Sequence, residues 1–169
     1  QALMEIGPAG RAMLAASFSQ KHYQDDPASL EELAKLIGAD RAADPLLADV
    51  LSLTAFGYTT TNGGIYPRCT TEAVKNLLFL PAGAAEVQKH LNTNEIFGDP
   101  VRFQAVIDGI AAAHATELAT NLTAISASVK AKVLTLKGTP GDYRDALEEL
   151  QDRIQRTLEA FGAVKPRAN

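Results

Sequence analysis

The chain has 169 residues, 46% of them hydrophobic and 21% charged, which suits one folded domain and argues against disorder. A net charge of −4 without clustered Lys and Arg offers no phosphate-tracking surface and sets nucleic acid aside as a partner. Trp is absent and aromatics reach only 6%, so the core must be aliphatic and rich in Ala, which favours helix.

In chain order, Pro8 opens a first helix running to about Tyr23. Asp26-Pro27 and Asp44-Pro45 each supply a cap followed by Pro at the first helical position, and Gly38 and Gly57 stop the helices they begin. The stretch 57–68, GYTTTNGGIYPR, joins residues of high β-propensity to an Asn-Gly-Gly turn, so a small β-hairpin or ordered loop is expected near 58–66. Thr70 or Thr71 then caps a helix ending at Pro81. A short helix spans about Ala82 to Leu91, and NTNEIFG reads as a linker with Ile96 and Phe97 tucked beneath it.

Asp99-Pro100 is the third start signal. From there Phe103, Ile107, Ile110, His114, Leu118, Leu122, Ile125, Val129, Val133 and Leu136 follow in steps of three or four, the spacing of one helix face. Gly138 and Pro140 end the series. After Gly141, with Asp142 as cap, Tyr143, Leu147, Leu150, Ile154, Leu158 and Phe161 form a second stripe that Gly162 closes. Two long helices joined by so short a turn form an antiparallel hairpin. The expected fold is therefore all-α: a bundle of about six helices ending in that hairpin. It forms a single domain of shorter helices and loop (1–98), hairpin (99–162) and tail (163–169). A continuous helix of ~37 residues would run about 55 Å, longer than a compact domain of this size is wide. An elongated bundle is therefore expected, the alternative being a helix that bends at Asp108-Gly109.

Few residues point to chemistry. His114 stands where the long stripe calls for an aliphatic, and His90 shares a helix with Glu86. These two imidazoles are the candidates for binding haem, a pigment or another apolar ligand, although a satisfied core or interface histidine is the commoner outcome. The pairs Glu86/His90 and His114/Glu117 lack the Glu-x-x-His order of dimetal helical bundles, so no metal site is expected. Asn121-Leu122-Thr123 matches a glycosylation sequon inside a helix, a poor acceptor. Cys69 is the only cysteine, which rules out an internal disulfide, and it has no orienting group that would make it a nucleophile.

The Tyr/Thr-rich loop offers an adaptable contact surface. Tyr58, Thr59, Thr60, Thr61, Tyr66 and Arg68 are the candidate partner-binding residues, Tyr and Arg being favoured at interfaces. No catalytic signature emerges. The expected function is a non-enzymatic binding or assembly module, a small structural or extrinsic subunit with a protein partner or a second copy of itself. A carrier of haem or pigment is the alternative, and an enzyme of unrecognised type a further one. No apolar run is long enough to span a membrane, and a start at Gln1 rather than Met is what removal of a signal peptide or a membrane anchor would leave, so an exported protein is one expectation and the compartment stays open.

Overall fold

A computed structural model describes residues 67–139 and 141–165 together with Ala48, Leu51, Ser52, Ala55 and Phe56; for 67–69 it describes the backbone alone. These residues are all-α. The helices are α1 (Pro67–Leu78), α2 (Gly83–His90), α3 (Thr93–Gly98), α4 (Pro100–Ala112), α5 (Ala119–Thr135) and α6 (Asp142–Ala160), with a 3₁₀ turn at Thr116–Leu118 between α4 and α5. The expected hairpin or loop at 58–66 and the helices before residue 48 lie outside the described residues.

Several starts differ from expectation. α1 begins at Pro67, whose missing N–H is harmless in a first turn. Thr70 and Thr71 are therefore inside the helix rather than capping it. Thr70 is buried, and Thr71 Oγ1 donates across to the Ala105 carbonyl of α4 at 3.0 Å. The NTNEIFG linker is itself a helical turn and a half, because Asn92 caps it by accepting from Glu95 N–H at 3.0 Å. Ile96 is buried beneath it and Phe97 half-buried. Asp99 caps α4 as expected, accepting from Arg102 N–H at 3.0 Å ahead of Pro100. Asp142 is not a cap. It is the first residue of α6, where with Asp145 it sets negative charge at the positive end of the helix dipole.

The largest correction concerns the long helix from 99 to 136, which is not continuous. α4 ends in a Schellman turn: His114 N–H reaches the Ala111 carbonyl at 3.0 Å and Ala115 N–H reaches Ile110 at 3.2 Å. His114 itself takes the left-handed conformation, φ 51°, that glycine usually supplies. The chain then folds back. Ser126 on α5 meets Gln151 on α6 (2.8 Å), and Lys130 to Leu134 flank Glu148 to Asp152, so these two helices run antiparallel. On the other flank of α6, Gln104 bonds the Ala146 carbonyl (3.0 Å) and Asp108 bridges Arg153, so contacts advance together along α4 and α6. α4 and α6 are parallel. The two-helix hairpin is in fact an up-down-up unit of three helices. The longest of them, α6 with 19 residues, spans about 28 Å, so the premise for an elongated molecule falls away.

Gly109 is not a bend either. It lies inside α4 where α1 crosses: a Cβ placed there would stand 2.7 Å from Val74 Cβ and 2.8 Å from the Thr71 carbonyl. Its missing side chain allows two backbones to approach. Around this crossing one aliphatic core forms from Val74 and Leu77 of α1, Phe103, Ile107 and Ile110 of α4, Leu122 and Val129 of α5, and Leu147, Leu150, Ile154 and Leu158 of α6. Each large side chain contributes roughly 1.5–3 kcal/mol before conformational entropy is subtracted.

Candidate functional site

The two imidazoles sit at different ends of α4. The His90 ring stacks on Phe56 at 4.0 Å, Phe56 in turn lies against Phe103 near the start of α4, and His90 Nδ1 shares a 2.8 Å hydrogen bond with Glu95. His114 follows the last turn of α4, eleven residues beyond Phe103 and so about 16 Å further along the axis. It does not face the core. The left-handed turn swings it outward, where it is exposed and meets the Phe161 ring edge-on at 5.2 Å. The placement therefore does not make the pair a common ligand site.

Glu86 serves as a structural anchor. It accepts from Lys89 at 2.7 Å and from Ser52 at 3.0 Å, and the Lys89 ammonium holds its carboxyl below the usual value. Among the described residues no cluster of His, Cys, Asp and Glu has the makings of a metal site. Tyr58, Thr59, Thr60, Thr61 and Tyr66 lie outside the described residues. Arg68 and Cys69 are in the first turn of α1, with only their backbone described.

Two surface clefts flank α6. The first, about 390 Å³ against α4, is lined by Asp108, Glu149, Arg153 and Arg156. Its charges are matched internally: Arg153 bridges Asp108 and donates to Glu149 at 2.9 Å, and Arg156 reaches Glu149 at 3.4 Å. Burial pushes the Asp108 carboxyl above its usual value despite the pull of Arg153. This is a network stitching two parallel helices together.

The second cleft is different in chemistry. A groove of about 550 Å³ between α5 and α6 is lined by Lys130, Val133 and Leu134 on one side and Glu148, Gln151 and Asp152 on the other. Leu134 stands 70% exposed, the most exposed of the large apolar side chains among the described residues. The anomaly extends along α5, whose outward positions are Thr120, Thr123, Ala124, Ala127, Lys130, Ala131, Leu134 and Thr135, with a single charge among them. The outward positions of α6, by contrast, include Asp142, Asp145, Glu149, Asp152 and Arg156. A helix apolar on both faces has a second surface to cover. That second face is readable in the sequence: Ala124, Ala127, Ala131 and Leu134 repeat at three and four beside the stripe that contains Ile125 and Val129. The stronger stripe masked it.

No protein-family model, curated protein or solved structure matches this chain.

Proposed function

We propose that this chain is a non-enzymatic helical binding or assembly module, a structural subunit that docks through the groove between α5 and α6. The observation that carries this reading is Leu134, held 70% exposed over an open cleft beside half-buried Val133. An apolar side chain fixed on a rigid helix, rimmed by Lys130, Glu148 and Asp152, has the composition of an interface: an apolar centre with a charged border. The charged cleft on the other side of α6 lacks that character, because Ala111 and Ala160 are the only apolar side chains that line it among the described residues.

Photo-crosslinking tests it. A benzophenone side chain at position 134, introduced into the protein in its native source, is expected to give one discrete adduct, and the same probe at Asp142 none. Adducts equally abundant and heterogeneous at both positions, or absent at 134, would remove the groove as a docking surface.

A further inference from the structure

We draw no further inference here: the strongest candidate, the apolar face that Ala124, Ala127, Ala131 and Leu134 of α5 turn to solvent, carries none because nothing in the structure shows what covers it.

Discussion

His114 and Gly162 occupy equivalent places at the ends of two parallel helices. Each is the left-handed residue of a Schellman turn, and Gly162 N–H reaches Glu159 at 3.0 Å as His114 N–H reaches Ala111 at 3.0 Å. Glycine accepts φ near +60° without steric cost, whereas a residue with a Cβ does not. His114→Gly should therefore raise stability by about 0.5–1 kcal/mol, read as a higher urea midpoint, and His114→Val should lower it by at least as much. The opposite holds at Gly109. Gly109→Ala places a methyl against the Val74 side chain and the Thr71 carbonyl, and overpacking of this kind costs roughly 1–3 kcal/mol. Asp108 supplies a pH signature. Its folded-state value is raised, so its contribution to stability is fully present below about 3.8 and is lost as pH rises through the folded value. Asp108→Asn should gain on the wild type as pH is taken above 3.8, in denaturation curves collected at a series of pH values.

At the scale of elements, the Asp99 cap and the apolar stripes were legible in the sequence because they are local, whereas Thr70, Thr71 and Asp142 lie inside their helices. Asp99-Pro100 marks the start of α4, and Asp99→Ala should cost about 0.5–2 kcal/mol in thermal unfolding by freeing the Arg102 N–H. Gly138 and Gly162 mark helix ends with positive φ as expected. The break at 114 was not legible for a definite reason. The residues on either side, Ile110 and Leu118, are both buried and keep the spacing of four through the turn, so periodicity continues where the helix does not. Histidine is also not a conventional stop signal, although it visits left-handed conformations more readily than most residues. Likewise Gly109 reads as a weak point in isolation, and only the packing of α1 against α4 reveals it as a point of close approach. The candidate groove had a sequence signal, the outward Ala and Leu of α5, but that signal ran beside a stronger apolar stripe. Which acids stand across from Lys130 is fixed by the short turn that joins α5 to α6.

For the whole molecule, the described residues form one core, and what distinguishes its surface is uneven coverage. α1 has no exposed residue between Thr70 and Leu78, while α5 leaves an apolar edge in solvent. A domain that keeps Leu134 exposed gives up solubility there, so Leu134→Lys should leave the thermal midpoint within about a degree of the wild type yet reduce aggregation on concentration. The short connection between α5 and α6 also sets an expected order of assembly. The α5–α6 pair closes through a turn of only a few residues, whereas Asp108 and Arg153, or Thr71 and Ala105, must find one another across 45 and 34 positions of chain. Short-range closure has the smaller entropic barrier, so the transition state for folding should contain the α5–α6 pair and lack the α1–α4 crossing. Val129→Ala should then slow refolding, and Val74→Ala should chiefly speed unfolding. The edge that carries Leu134 would thus be built first and stand uncovered in the earliest compact species, when a nascent chain is most prone to meet another like itself.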